Sequence, residues 1–260
     1  MDNSAEQSKA DEKQEIPRVT VTITEDSFTA PDTIAAGYVN IQLVNEAADM
    51  HSAHLIKLDE GYSSRQLIEA YADSMLSGGA RPEWMTHRGG VISETGTSDI
   101  TIFLDAGNYT WVCVMGTDSV PHFKGHESSA VIVVGEVDSA IKMPDPDVVI
   151  NMTDKNHEID SKVEPGMQSV QVVNSGTKYH LVAISKLDQD ATADDVVSWF
   201  TSYNGPPPAT GIVATSAIGP GLTAHLNIDF EPGTYVAYCM ANAEGNFHLM
   251  DGAITTFTVE

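Results

Sequence analysis

Two stretches around the only two cysteines carry most of the information in this sequence: GNYTWVC at residues 107–113 and GTYVAYC at residues 233–239. Both stretches follow the pattern Gly-x-Tyr-x3-Cys. A histidine comes nine residues after each cysteine, at His122 and His248. The same spacing in two places indicates that one structural unit occurs twice in the chain.

A second repeated element lies upstream of each cysteine. Asn45 precedes His51 by six residues, and Asn174 precedes His180 by six residues. The chain therefore contains Asn-x5-His followed by Gly-x-Tyr-x3-Cys-x8-His twice. Two imidazole nitrogens and one thiolate that converge from different strands form the trigonal kind of site that copper occupies. The repeat predicts both a fold and a metal chemistry.

The length and the cysteine count set the first bounds. With 260 residues, of which 42% are hydrophobic, the chain is long enough for two domains with cores of their own. A disulfide between Cys113 and Cys239 is the alternative to metal ligation, but it would take each cysteine away from its own copy of the pattern. We expect metal ligation, because the disulfide frameworks of small secreted domains are denser in cysteine.

The chain is strongly acidic, with 37 acidic residues against 13 lysines and arginines and a formal net charge of −24. Phosphates repel such a surface, so the composition argues against nucleic acid and against anionic membranes as partners. Three interpretations stay open: a basic protein partner, life in high salt, and an ordinary acidic soluble surface.

The N-terminal residues 1–16 are polar and are predicted to be disordered. The chain has no apolar run of the roughly 18 residues that would span a bilayer, and no signal peptide. Such a start is typical of a mature exported protein, periplasmic or extracellular, whose tail acts as a flexible membrane tether. For such a protein, the alternatives for the removed segment are an export signal and a lipid-anchor cysteine.

Short runs that alternate apolar and polar residues predict strands along both halves, the first at residues 19–24. The pattern changes to helical spacing at residues 63–75, where Ser63 or Ser64 is the expected cap, and again at residues 195–200. Many short strands with one helix in each half predict a β-sandwich architecture.

The second half repeats the order of the first at an offset of 129 residues, which becomes 126 beyond the helix. We call residues 17–135 copy one and residues 147–260 copy two. Residues 136–146, which contain two prolines, are the predicted linker between two domains.

This arrangement resembles the cupredoxin family, the blue copper proteins, in tandem, over nearly the whole chain. The resemblance implies an all-β fold of two tandem cupredoxin-like Greek-key β-sandwich domains, each with one inserted short helix. It also implies mononuclear type 1 copper, with one or two copper ions per chain. The Cys-x8-His loop is similar to that of the copper nitrite reductases.

Carried onto this sequence, the resemblance implies three equatorial ligands in each copy: His51, Cys113 and His122 in copy one, and His180, Cys239 and His248 in copy two. The axial position departs from the family, which often has a methionine four or five residues after the second histidine. Copy one has His126 and Glu127 there, so we expect an unusual axial donor that lowers its potential. Copy two has Gly252 and Ala253 there, with Met250 only two residues after the histidine.

Other metal-binding residue types receive weaker predictions. Met115 and Met240, close to the cysteines, are expected to pack in core or loop, with approach to the metal as the alternative. His54 forms His-x-x-His with His51, but strand residues three apart point to opposite faces, so it is expected in the core or at the solvent. The three histidines without a repeat partner are expected on the surface: His87, His157 and His225.

Four functions fit these patterns: an electron carrier that docks a redox partner such as a basic, cytochrome-like protein; a copper storage or delivery protein; a two-domain copper oxidoreductase related to nitrite reductase; and a cupredoxin-like interaction module that has lost metal in one copy. The sequence has no His-x-His pair for a trinuclear copper centre. Nitrite reductases place a histidine directly before the ligand cysteine, where this chain has Val112 and Tyr238. The pattern favours the electron carrier over an enzyme.

Overall fold

A computed structural model describes residues 15–77, 80–117, 120–125, 128–243 and 246–260. These residues form two large β-sheets, one of eight strands and one of nine, with two small two-stranded sheets beside them. The strands of the first half are β1 (Arg18–Thr24), β2 (Ser27–Thr29), β3 (Thr33–Ala35), β4 (Gly37–Asn45), β5 (His51–Leu58), β6 (Met85–Ser93), β7 (Gly96–Leu104), β8 (Gly107–Val112), β9 (Gly116–Thr117), β10 (Val120–Pro121) and β11 (Ser128–Val134). The strands of the second half are β12 (Val148–Met152), β13 (His157–Ile159), β14 (Gly166–Asn174), β15 (Ala183–Leu187), β16 (Ala209–Thr215), β17 (Thr223–Phe230), β18 (Gly233–Tyr238), β19 (Asn242–Ala243), β20 (Asn246–Phe247) and β21 (Ile254–Val259). The helices are α1 (Ser64–Ser77) and α2 (Ala193–Ser202), with 3-10 turns at His122–Lys124 and His248–Asp251.

Both large sheets run through both halves of the chain. The first sheet has the order β13-β12-β14-β17-β7-β4-β1-β2, and the second has β21-β18-β15-β16-β6-β5-β8-β11-β3. The halves meet in the first sheet where β17 pairs with β7, with Ala224 opposite Ile102. They meet in the second sheet where β16 pairs with β6, with Ala214 opposite Ile92. The two halves are therefore joined strand to strand.

The sandwich forms because the apolar residues of alternating strands meet between the sheets. Val21 and Ile23 of β1 are fully buried, as are Val170 and Val172 of β14 in the other half. One hydrophobic cluster contains these residues from both halves. Burial of an aliphatic side chain stabilises a fold by roughly 1.5–3 kcal/mol, so the shared core fixes the halves against each other.

Each helix begins at a side-chain cap. The Ser63 hydroxyl oxygen accepts from the Gln66 N–H at 3.4 Å, and the Gln66 side chain accepts from the Ser63 N–H at 3.0 Å, so Ser63 is the residue that caps α1. Thr192 accepts from the Asp195 N–H, and the Asp195 carboxylate accepts from the Thr192 N–H, which makes a capping box at the start of α2. The predicted helix in each half is confirmed.

Two tyrosines fix the corners that lead into the cysteine-bearing strands. The Tyr109 hydroxyl donates to the Asp105 carbonyl at 2.6 Å, and the Tyr235 hydroxyl donates to the Glu231 carbonyl at 2.9 Å. Both rings are buried. This arrangement has the character of a tyrosine corner, which explains why the Gly-x-Tyr element precedes each cysteine.

The all-β, two-sheet prediction is confirmed, while the surface positions predicted for three histidines are wrong. His87, His157 and His225 are all buried. His87 and His225 lie on β6 and β17, the strands that join the halves, and His157 begins β13. Pairing between strands of the two halves covers His87 and His225, and His157 Nε2 lies 3.1 Å from the Leu181 carbonyl. Local sequence cannot show these long-range contacts. Residues 1–14 of the predicted disordered tail lie outside the described residues.

Among the described residues, no helix has both the length and the apolar character needed to cross a membrane.

Candidate metal centres

The three predicted equatorial ligands of copy one come together at one end of the sandwich. His51 begins β5, Cys113 directly follows the neighbouring strand β8, and His122 begins a 3-10 turn. The Cys113 Sγ atom lies 3.6 Å from His51 Nδ1 and 3.7 Å from His122 Nδ1, and the two nitrogens are 3.3 Å apart. His51 and Cys113 are buried.

Copy two repeats this geometry. The Cys239 Sγ atom lies 3.7 Å from His180 Nδ1 and 3.6 Å from His248 Nδ1, and the two nitrogens are 3.1 Å apart. All three side chains are buried. These two clusters are the groups of three potential metal ligands found among the described residues.

The residues fit a single metal ion in each cluster. One ion at the centre of such a triangle can be about 2.3 Å from sulfur and about 2.0 Å from each nitrogen, as in Cys/His metal sites. Every imidazole presents the same atom, Nδ1, to the cluster. Both cysteines are free thiols, so the disulfide alternative does not occur. A donor set of one thiolate and two imidazoles suits copper in a trigonal site.

The repeated asparagine shapes the loop that delivers the first histidine. The Asn45 side chain donates to the Asp49 carbonyl at 2.9 Å, and the Asn174 side chain donates to the Lys178 carbonyl at 2.9 Å. Both asparagines are buried. Each amide therefore ties down the turn just before His51 or His180, which explains the Asn-x5-His spacing.

Backbone hydrogen bonds close the loop between each cysteine and the second histidine. The Phe123 N–H donates to the Cys113 carbonyl at 3.1 Å, and the Leu249 N–H donates to the Cys239 carbonyl at 2.9 Å. The residue after each second histidine is thus bonded to the cysteine itself. The equal Cys-x8-His spacing thus comes with the same backbone bond in both copies.

The surroundings of the two sulfur atoms differ. In copy one, the Ser52 N–H lies 3.3 Å from the Cys113 Sγ atom, and the Ser52 hydroxyl donates to the same sulfur at 3.7 Å. In copy two, the Leu181 N–H donates to the Cys239 Sγ atom at 3.5 Å, and leucine has no hydroxyl to add. Hydrogen bonds to the sulfur tune the potential of such a site.

A carboxylate supports the first histidine of copy two. The Asp154 Oδ1 atom lies 3.0 Å from His180 Nε2, so the carboxylate accepts a hydrogen bond from that nitrogen and leaves Nδ1 free for a metal. Burial alone would raise the Asp154 pKa. Hydrogen bonds from His180, Thr177 and the Lys178 backbone outweigh it, and the pKa falls well below its usual range.

A glycine makes room for this pair. A Cβ atom at Gly176 would lie 2.4 Å from Asp154 Oδ1 and 3.0 Å from His180 Nε2. In copy one the corresponding residues are Ala47 and Glu25, and Glu25 accepts a hydrogen bond from the Ala48 N–H at 2.7 Å. Sequence reasoning missed Asp154, although an acidic residue does recur there at the offset of 129.

Burial sets the protonation of the copy-two ligands. It raises the pKa of the Cys239 thiol to about 11, against the opposing effect of hydrogen bonds from the Leu181 and Ala241 backbone. Burial, followed by the nearby His180, lowers the pKa of His248 to about 4. The imidazole is therefore neutral at pH 7, whereas the thiol must release its proton when a metal binds.

The predicted axial positions have different outcomes. His126 and Glu127 lie outside the described residues. Met250 is partly buried and packs beside Leu249 in a hydrophobic cluster with α2. In copy two the Ala253 backbone accepts from the Cys239 N–H at 2.9 Å, so Ala253 contributes backbone bonds and no donor side chain.

The two methionines near the cysteines have different surroundings. Met240 is partly buried and packs against the hydrophobic cluster that contains Cys239. The Met115 carbonyl accepts a hydrogen bond from the His122 N–H at 2.7 Å. Packing, the first expectation for both residues, is therefore observed for Met240.

His54 lies in the core, one of the two positions expected for it. Its Nε2 atom is 3.2 Å from Nδ1 of His87, and both rings are buried. Burial lowers the His54 pKa to about 3, and burial together with His54 and Arg81 lowers the His87 pKa well below its usual value. Both imidazoles are therefore neutral at pH 7.

In its two-sheet β-sandwich and its two equivalent His–Cys–His clusters, the chain is similar to the cupredoxins. No protein-family model and no curated protein sequence matches the chain. Solved structures do match. An auracyanin from Roseiflexus castenholzii is 27% identical, with 43% of this chain and 94% of that chain covered, at a TM-score of 0.31. A copper nitrite reductase from Nitrosomonas europaea is 14% identical, with 95% and 94% covered, at a TM-score of 0.27. A multicopper oxidase is 13% identical, with 94% and 88% covered, at a TM-score of 0.28. The predicted resemblance to the cupredoxin family is confirmed.

Proposed function

We propose that this protein binds copper at both clusters and carries electrons between partner proteins. The observation that carries the proposal is the pair of buried clusters in which one sulfur and two Nδ1 atoms lie 3.1–3.7 Å apart. Bound copper would supply a one-electron couple between Cu(I) and Cu(II). A thiolate suits Cu(I), and imidazoles suit both states.

The chain's own residues would hold this geometry in both redox states. The ligands come from the ends of packed strands, and the asparagine amides fix the loops that carry His51 and His180. A site held in this way needs little rearrangement when an electron arrives or leaves. Burial of the cysteines excludes water and oxidants from the sulfur.

The finer architecture belongs to the same proposal. We infer two cupredoxin-like Greek-key domains at residues 17–135 and 147–260, with residues 136–146 as the linker. His126 or Glu127 is the proposed axial donor in copy one, and Met250 is the proposed axial candidate in copy two. An imidazole or carboxylate in the axial position would lower the potential of copy one.

The proposed setting is outside the cytoplasm, in the periplasm or beyond the cell, with the N-terminal tail as a possible tether. A basic redox protein is the proposed partner, because the net charge of −24 would attract it. The test is ionic strength: electron exchange with a basic cytochrome should slow as salt is added. Exchange that is independent of salt would argue against a basic partner.

Copper content, the visible spectrum and cyclic voltammetry together test the function. We expect two copper ions per chain, an intense thiolate-to-copper absorption band and a reversible one-electron couple. Tight binding without a reversible couple would favour copper storage or delivery instead. Turnover of nitrite or oxygen by the copper-loaded protein would favour the oxidoreductase alternative.

A further inference from the structure

A line of buried and partly buried rings connects the two candidate metal centres. The ring of Tyr179, the residue before His180, lies 6.4 Å from the His248 ring, measured between centroids. Tyr179 also contacts copy one, because the His87 ring of β6 lies 4.6 Å from the Tyr179 ring, measured between centroids. Tyr179 thus contacts a ligand of one copy and a strand of the other.

The line continues to the ligand loop of copy one. The Tyr71 ring of α1 lies 5.7 Å from His87, and the Phe123 ring is stacked on Tyr71 at 5.2 Å with an interplanar angle of 9°. Phe123 directly follows His122 and donates its N–H to the Cys113 carbonyl. We call Tyr179, His87, Tyr71 and Phe123 the ring bridge.

Burial and packing hold the ring bridge in place. His87, Tyr71 and Phe123 are buried, and the Arg81 guanidinium lies 5.2 Å from the Tyr71 ring and 5.9 Å from the Tyr179 ring. The Tyr179 hydroxyl donates to the Asn242 carbonyl at 2.7 Å. A cation between two aromatic faces fixes both rings.

Copy two has its own group of rings beside α2, where Phe200 lies 5.6 Å from Tyr238 and 5.9 Å from Phe247, measured between centroids. In copy one, His87 pairs with Ile56 of β5. At the equivalent position of copy two, Gly211 pairs with Ser185 of β15. Leu249 takes the place of Phe123 after the second histidine. The ring bridge differs from the copy-two group in that it crosses from one copy to the other, between His87 and Tyr179.

We propose that the ring bridge carries electrons between the two metal centres, so that the chain acts as one two-electron unit. This inference rests on the proposed function. One electron leaves a reduced ion at one centre and reduces the oxidised ion at the other. No bond forms or breaks, and no proton moves. The closely spaced rings serve as the tunnelling medium, with neighbouring centroids 4.6–6.4 Å apart.

The test uses the full copper-loaded chain, with both ions oxidised, after a pulse that delivers less than one electron per molecule. We expect a redistribution of the electron between the two absorption bands at a rate that is independent of protein concentration. Tyr71→Leu and Tyr179→Leu should slow this step roughly tenfold or more. Tyr71→Phe and Tyr179→Phe keep the ring and should leave the rate nearly unchanged.

Two controls separate the possible failures. Phe200→Leu removes the copy-two ring that corresponds to Tyr71 and lies off the bridge, so it should not slow the step. Copper content, band positions and thermal unfolding of the metal-free chain should match between each Leu and Phe pair. Equal rates in the Leu and Phe variants, or no concentration-independent phase in a chain with two copper ions, would overturn the ring bridge alone. Failure to bind copper at one of the clusters would overturn the proposed function and the bridge with it.

Discussion

The two candidate centres share their ligand triangle and differ in the contacts just outside it. In copy one, a serine side-chain hydroxyl donates to the cysteine sulfur beside the backbone N–H of the same residue. In copy two, an aspartate supports the first histidine, and a glycine leaves the space for it. The repeated spacing therefore preserves the triangle of one sulfur and two nitrogens, while the neighbouring residues give each candidate centre different surroundings.

The largest effect is expected from removal of either sulfur. Cys113→Ser should abolish the thiolate-to-copper band of copy one and leave that of copy two, because the clusters share no ligand. Cys239→Ser should do the reverse. Visible absorption with copper analysis measures the loss, and far-ultraviolet circular dichroism checks the fold. Disappearance of both bands in either variant would show that the centres depend on each other.

The second effect concerns acid stability, since only copy one has the buried pair of His54 and His87. The corresponding residues of copy two are Ala183 and Gly211. Burial lowers the His54 pKa to about 3, so the folded protein binds fewer protons than the unfolded chain below about pH 6.5. The free energy of unfolding should fall from about pH 6.5 toward pH 3, by up to about 1.4 kcal/mol per pH unit for this histidine.

Urea unfolding of the metal-free chain at several pH values measures that slope. His54→Ala should make the slope shallower, whatever it does to the stability at pH 7. His157→Ala offers a comparison in copy two, because burial lowers the pKa of His157 to about 4. A slope that is unchanged in His54→Ala would mean that this imidazole becomes protonated in the folded chain without cost.

The third effect is on metal affinity and comes from a single methyl group. Gly176→Ala would place a Cβ atom 2.4 Å from Asp154 Oδ1, so the carboxylate must leave His180. Loss of such a supporting contact typically costs about 10–100-fold in metal affinity. Competition with a copper chelator measures the change at copy two. Ala47→Gly is the matched control in copy one, and equal affinities in Gly176→Ala and the unchanged chain would contradict the supporting role of Asp154.

The smallest effect is on the potential of copy one. The Ser52 hydroxyl draws electron density from the Cys113 sulfur, which favours Cu(I). Ser52→Ala should therefore lower the potential by less than about 59 mV, the shift that corresponds to a tenfold change in the one-electron equilibrium constant. The reverse change in copy two, Leu181→Ser, should raise its potential. Voltammetry on chains with one working centre separates the two, and a rise in Ser52→Ala would reverse the argument.

The ligand triangle could be predicted from sequence because its spacing is local and occurs twice. His122 and Cys113 belong to one loop, and Asn45 to His51 is one turn. The helices were also predictable, since their caps and apolar faces are local. The buried positions of His87 and His225 were not, because they result from pairing between strands of different halves. Asp154 and Gly176 were missed for a related reason: their contact becomes visible only when the strand β12 and the loop before His180 are folded together.

The strand-to-strand joints described above bear on how such a chain can originate. A protein of half this length would present the open edges of β6 and β7, or of β16 and β17, and exposed edges of this kind pair readily with another copy. The resulting homodimer would hold two identical centres, because one sequence would have to serve both. Fusion of the two copies into one chain removes that symmetry. Ser52 and Leu181, or Ala47 and Gly176, can then differ, and one molecule can hold two centres of unequal character.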